Sequence, residues 1–225
     1  MKIMKARAEN IREVTVLASI NSEYIVRYMD SFIEDSMLYL IMEYCERGDL
    51  SNFIKSQMKV PLNEIKIWKI ALEIMSGLGT LHGHGVIHRD IKAKNIFMTK
   101  KYCIKIGDLG TCVQTRSGSF SDCREIGTLL YASPEICKGE FYSTKTDIWS
   151  FGCVLYELCT YRHPFTGNSK SSIISKILKD NVVRIPEIYS KDLWFVIERC
   201  LRKDFNERLS TIELLSLPCN LLTYY

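Results

Sequence analysis

The segment His88-Arg89-Asp90-Ile91-Lys92-Ala93-Lys94-Asn95 places a carboxylate, two lysines, an arginine and an amide on one short stretch, and Asp108-Leu109-Gly110 follows close behind. These residue types suit chemistry on a terminal phosphate. An aspartate can orient a hydroxyl nucleophile, and a lysine beside it offsets charge on the migrating phosphoryl. Two oxygen donors from separate chain positions, here Asn95 and Asp108, can hold magnesium against phosphates. Each residue taken alone reads as solvated surface; the ordered set carries the reading.

Several elements must position that set. Residues 6 to 18 read as a helix, with Ile11, Val14 and Leu17/Ala18 on one apolar face. Two strand-like runs follow, Tyr24 to Phe32 and Met37 to Tyr44, joined by Ile33-Glu34-Asp35-Ser36. The second run is almost continuously apolar, as a strand covered on both faces would be. Composition turns polar at Cys45-Glu46-Arg47-Gly48-Asp49, which predicts a boundary between a small lobe (1–44) and a large lobe (45–225).

Beyond that boundary the pattern is mostly helical. Ile65, Trp68, Ala71/Leu72, Met75, Leu78 and Leu81 predict one long amphipathic helix that stops at Gly83 and Gly85. Residues 94–98 and 103–106 predict a short hairpin turning at Thr99-Lys100-Lys101, which would bring Asn95 and Asp108 to one rim. The stretch from Gly110 to Gly127 is rich in Ser, Thr and Gly and predicts a mobile segment. Asp147 to Leu158 is apolar nearly all round, as a fully buried helix would be, and two or three amphipathic helices fill 169–217.

Composition narrows the function classes. The chain has 225 residues, 47% hydrophobic and 25% charged, which suits one large globular domain or two modest lobes. A net charge of +4 without a basic run gives no indication of a nucleic-acid or membrane partner. The 9 cysteines include no C-x-x-C pair, which argues against a zinc site and fits free thiols in a reducing compartment. The longest strongly apolar run, Ile148 to Cys159, contains Glu157 and is too short to span a bilayer. The first residues lack the apolar core of a signal peptide, so the expectation is a soluble, cytoplasmic protein.

The spacing H-R-D-x-x-x-x-N, then D-x-G, resembles the signature of eukaryotic protein kinases. From about residue 6 onward the chain is similar to serine/threonine protein kinases, and within them to the NIMA-related (NEK) group. The strings carrying that narrower likeness are residues 12–17 (Arg-Glu-Val-Thr-Val-Leu), 31–35, 38–50, Gly107-Asp108-Leu109-Gly110, 133–137 and 147–159. The resemblance implies an α+β, two-lobed kinase-like fold with a truncated small β lobe and a mainly helical large lobe. It implies ATP and magnesium as cofactors and a protein as substrate.

Site roles follow from the same resemblance. Asp90 would be the base for the substrate hydroxyl, and Lys92 would neutralise the transferring phosphate. Asn95 and Asp108 would hold magnesium ions. Glu43 and Cys45 would offer backbone groups to adenine, with Met42 as the gatekeeper behind them. Glu13 would be the helix carboxylate that pairs with a phosphate-binding lysine. Glu135 and Arg208 would form a buried ion pair, Asp147 would fix the catalytic-loop backbone, and Leu17, Tyr28, His88 and Leu109 would stack between the lobes.

The sequence departs from the group in places. No G-x-G-x-x-G precedes Glu13, and Lys2 stands eleven residues before Glu13 where the family separation is nearer about eighteen. In Met1-Lys2-Ile3-Met4, Lys2 faintly resembles the strand motif that carries the phosphate-binding lysine; the favoured, ungapped register instead puts Met1–Lys5 in a loop ahead of the helix and leaves that lysine out. Arg124 takes the place of a phosphorylatable residue; Ser119 and Ser121 are substitute phosphosites, and Asp122 or Glu125 a built-in charge. Leu129 stands where proline is usual. The expected function is transfer of the ATP γ-phosphate to Ser/Thr hydroxyls, with weak nucleotide binding. The alternative is a catalytically impaired, kinase-shaped binding scaffold. Against it stand Asp90, Lys92, Asn95 and Asp108 together, four polar groups that folding alone does not require.

Overall fold

A computed structural model describes residues 1–114 and 126–217 of the chain. Residues 115–125, which hold Ser119, Ser121, Asp122, Arg124 and Glu125 and most of the segment expected to be mobile, lie outside the described residues.

The chain opens with strand β1 (Lys2–Lys5), helix α1 (Ala8–Ser19), β2 (Tyr28–Glu34) and β3 (Met37–Met42). The three strands form one antiparallel sheet in the order β1-β3-β2, with Ile3 opposite Tyr39 and Phe32 opposite the same residue. The expectation that Met1–Lys5 lies in a loop is therefore corrected. Four residues alternating half-buried and exposed pair in register with β3, and only Ala6 and Arg7 join them to α1. The strand connection is also tighter than the four residues expected. Asp35 and Ser36 alone turn the chain, with φ of 48° and 61°, as a two-residue hairpin with primed-turn geometry demands.

Two patterning expectations also change. Ile11 is exposed, and the buried face of α1 is Glu13, Val16 and Leu17. Strand β3 is fully covered on one face only, by Leu38 and Leu40, while Tyr39 stacks on Phe32 at 4.7 Å on the outer side.

Helix α2 (Leu50–Gln57) begins at Asp49, whose carboxylate accepts from Asn52 N. Helix α3 (Glu64–Gly83) is capped by Asn63 and ends before Gly85, at φ 68°. Helix α3 packs on β6 (Ile104–Ile106), and a Cβ at Gly77 would meet Ile106 at 2.8 Å and the Tyr24 carbonyl at 2.9 Å. Strands β4 (Val86–Ile87), β5 (Ile96–Met98), β6 and β7 (Val113–Gln114) make two small antiparallel pairs, β5 with β6 and β4 with β7. Short helices α4 (Ile126–Leu129) and α5 (Pro134–Lys138) lead to α6 (Thr144–Thr160). Residues 146–159 of α6 are all buried, so the all-round apolar pattern there is the signature of a helix enclosed by others. Helices α7 (Lys170–Lys179), α8 (Lys191–Cys200) and α9 (Thr211–Leu215) complete the helical part. Among the described residues no helix is long and apolar enough to cross a membrane.

Candidate active site

Asp147, in the first turn of α6, shapes the loop that carries Asp90. The Asp147 carboxylate is fully buried, and its oxygens accept from His88 N at 2.9 Å and Arg89 N at 2.8 Å. His82 Nε2 lies 2.9 Å from the same carboxylate. These bonds hold Arg89 in the left-handed region, at φ 67°. Burial alone would raise the Asp147 pKa; the bonds from His82 and His88 outweigh it and keep the carboxyl below its ordinary range. His88 is itself wholly buried, with Nε2 at 3.0 Å from the Gly107 carbonyl. Leu17 and Leu109 lie in the same core cluster and half-buried Tyr28 packs against it, its hydroxyl 3.0 Å from Ser31 Oγ.

Asp90 is held on one oxygen and open on the other. Its Oδ2 pairs with Lys92 Nζ at 2.7 Å and accepts from Asn95 Nδ2 at 2.9 Å. Asn95 Nδ2 also donates to the Asp90 carbonyl at 2.9 Å. Asp90 Oδ1 is buried with no hydrogen-bond partner among the described residues. An unsatisfied buried acceptor costs roughly 1–3 kcal/mol, so this atom calls for a donor from outside the chain. Lys92 Nζ extends the arrangement to Thr128 Oγ1 at 3.1 Å.

A second cluster forms around Lys2. Strand β1 points this side chain at α1, and Nζ lies 2.8 and 2.9 Å from the two Glu13 oxygens and 2.8 Å from Asp108 Oδ1. Lys2 thus occupies the place that the ungapped register left without a lysine, because the strand-to-helix connection is short. Burial disfavours the ammonium, but the bonds to Asp108 and Glu13 prevail and raise the Lys2 pKa. Burial would likewise raise Asp108; its bond to Lys2 lowers it instead. Asp108 itself sits at φ 58°, and the missing side chain at Gly110 leaves room for the cluster. A Cβ there would meet Glu13 Oε2 at 3.2 Å and Lys2 Nζ at 3.4 Å.

Both clusters border one cavity of about 670 Å³. Lys2, Glu13, Asn95 and Asp108 line it together with Met42, Glu43 and Cys45, so six of the sequence-derived site positions and Lys2 face one space or its rim. Its size lies within the usual range for a small-molecule site. Asp90 and Lys92 are outside the lining and join it through Asn95. The Glu43 carboxylate is paired with Lys105 Nζ at 2.9 Å and accepts from Arg27 N at 3.2 Å. Burial, helped by the Glu43 charge, pushes the Cys45 thiol up to about 11, which leaves it protonated at neutral pH. Sequence reasoning did not find Val26, Phe97 and Gly107 in the lining, nor the His82 and Thr128 contacts. Of these only the short apolar run Ile96-Phe97-Met98 gave any local signal.

Beneath the site Glu135 and Arg208 form the buried pair, with both carboxylate oxygens 2.7 Å from the guanidinium. Arg89 donates to the Thr111 carbonyl at 2.6 Å and to the Tyr142 hydroxyl at 3.2 Å.

Comparison with known proteins places this geometry. The protein kinase domain family matches residues 1–219. Serine/threonine-protein kinase Nek5 of Mus musculus is 38% identical over 224 residues, covering 97% of this chain and 35% of the relative. Serine/threonine-protein kinases Nek1 and Nek3 of the same organism are 37% and 36% identical, over 94% and 96% of this chain but 18% and 42% of their own lengths. The chain therefore spans less than half the length of these curated relatives. With that match running through both clusters and the helices beneath them, the chain belongs to the protein kinase domain family, and within it to the NIMA-related serine/threonine kinases.

Proposed function

We propose that this chain binds ATP in the cavity lined by Lys2 and Asp108 and passes the γ-phosphoryl to serine or threonine hydroxyls of protein substrates. The observation that carries the reading is the buried, unpartnered Oδ1 of Asp90, beside an Oδ2 already fixed by Lys92 and Asn95. A substrate hydroxyl donating to Oδ1 would satisfy that atom and be oriented for attack. Lys92 supplies a positive charge within reach of Asp90 and Thr128, where charge accumulates during transfer. Lys2, held by Glu13, offers its ammonium to nucleotide phosphates.

Asn95 and Asp108 fit a hard divalent cation. With Nδ2 of Asn95 engaged by Asp90, its oxygen is the ligating atom, and Asp108 adds a carboxylate kept ionised by Lys2. ATP with magnesium supplies the phosphoryl group and the cation that offsets its charge. The backbone of Glu43 and Cys45 would seat the adenine, with Met42 closing the space behind it. We place the division between the two lobes at residues 44 and 45. The free thiols at Cys45, Cys103, Cys153, Cys159 and Cys200 suit a reducing, cytoplasmic setting, and the substrate is a protein rather than a nucleic acid.

The test is transfer of labelled phosphate from ATP to a degenerate Ser/Thr peptide library in magnesium. Asp90→Asn should reduce transfer by about 100-fold or more while leaving nucleotide affinity within a few-fold. Full activity in Asp90→Asn would overturn the reading, and nucleotide binding without transfer by the unmodified chain would favour the scaffold.

A further inference from the structure

Strand β5 presents different residues to two different hollows. Phe97 lines the nucleotide cavity, whereas its neighbour Met98 lines a second groove of about 360 Å³. That groove has an apolar floor, Ile70 and Met98, and half-exposed apolar walls, Ile65 and Tyr102. Lys66 and Lys69, one helical turn apart at the start of α3, stand along it.

Tyr102 is a costly residue for its position. It sits at φ 62°, a left-handed conformation that disfavours a bulky side chain, yet the residue is 42% exposed rather than buried in the core. The ring is instead covered by cations: the Arg47 guanidinium lies 3.6 Å from its centroid and Lys66 Nζ 5.5 Å away.

The carboxylates of this face are turned to backbone amides. Glu46 accepts from Lys100 N at 2.8 Å and Glu73 from Ile104 N at 2.8 Å. Lys100 and Lys101 on the adjoining turn are exposed. The result is an apolar trough with a basic rim. A second copy of this chain would bring the same basic rim against itself, and the aliphatic floor offers nucleic-acid bases no stacking platform.

We propose that this groove docks an acidic linear peptide bearing one or two bulky apolar side chains, carried by a protein partner at a distance from its phosphoacceptor residue. The apolar side chain fills the space over Ile70 and Met98, and acidic neighbours pair with Lys66 and Lys69. Specificity comes from needing both parts at once.

The probe is a fluorescein-labelled decapeptide of glutamates around two leucines, followed by anisotropy against the intact protein. Three control probes replace the leucines by alanine, replace the glutamates by lysine, or substitute a single-stranded oligonucleotide of similar charge. The expected result is saturable binding of the glutamate–leucine peptide, weakened about tenfold or more by Lys66→Glu, by Lys69→Glu and by Tyr102→Ala. Asp90→Asn should leave it unchanged, since that residue belongs to the transfer site. Lys66 and Lys69 are half-buried at the edge of α3, so a melting curve of each variant establishes that it is folded before its binding is read. The proposal is overturned if the glutamate–leucine peptide does not saturate, or if the alanine peptide, lysine peptide or oligonucleotide binds as tightly. Unchanged binding in both folded lysine variants overturns it equally.

Discussion

Lys2 Nζ lies 2.8 Å from Asp108 Oδ1, across 106 residues of sequence, while also holding both oxygens of Glu13. One ammonium on an edge strand thus keeps two carboxylates, from α1 and from the loop after β6, in a common grip.

Replacing Lys2 with methionine removes that grip with little change in shape. Glu13 is 2% exposed and would be left as a buried carboxylate without its cation, and burial would then raise Asp108 rather than the Lys2 bond lowering it. In the native protein the lowered Asp108 pKa contributes stability that is present above the ordinary carboxylate value and is lost as pH falls through the folded value. The Lys2→Met variant should therefore melt below wild type at neutral pH, with the gap narrowing as pH falls through the carboxylate range. Phosphate transfer should fall in parallel with nucleotide affinity. Melting curves from about pH 7 down to about pH 3 check the first point; a constant gap would refute it.

The Glu135–Arg208 pair gives a second prediction. Arg208 is 1% exposed, and its guanidinium meets the carboxylate with two parallel bonds. Burial opposes the Glu135 charge, but Arg208 outweighs it and lowers the carboxyl pKa. Either Glu135→Ala or Arg208→Ala strands a buried charge and should cost roughly 3–5 kcal/mol. The double variant Glu135→Ala with Arg208→Ala should cost less than the sum of the single changes. Urea denaturation of the four proteins measures the coupling.

Close packing of α6 gives a third. A Cβ at Gly152 would stand 2.6 Å from Cys200 Cβ and 3.1 Å from Leu201, so α6 and α8 approach only because that side chain is missing. Gly152→Ala should destabilise by roughly 1–3 kcal/mol despite the better helix propensity of alanine. Unchanged stability would mean that the two helices separate without cost.

Helix α6 was readable from sequence because burial on every side leaves an apolar pattern that surface loops do not produce. The β5–β6 hairpin was readable because two short apolar runs flank a lysine-rich turn. Strand β1 was not. A spacing count presumes a fixed loop length, and here only Ala6 and Arg7 separate the strand from α1. The four-residue alternation of Lys2-Ile3-Met4-Lys5 is too short to reveal a strand by itself. On α1, a hydrophobic count places Glu13 outside and Ile11 inside, whereas the lysine on β1 makes burial of the carboxylate favourable. The His82–Asp147 and Lys92–Thr128 contacts join residues 65 and 36 positions apart, so no local pattern encodes them.

Thr128 is the residue whose role is best separated from packing. Its Oγ1 receives a bond from Lys92 at 3.1 Å, while Lys92 pairs with Asp90 at 2.7 Å. The hydroxyl thus steadies the far end of a chain that begins at the proposed base. Thr128→Val keeps the volume and the β-branch but offers Lys92 no acceptor, so the ammonium should be less well placed when charge develops on the transferring group. The expected effect is a fall of about tenfold in kcat, equivalent to about 1.4 kcal/mol, with the KM for ATP unchanged because Thr128 is outside the nucleotide cavity lining. Thr128→Ser restores the acceptor and should recover most of kcat. A purely structural role would instead make valine the milder change and serine, with its smaller side chain, the more damaging one.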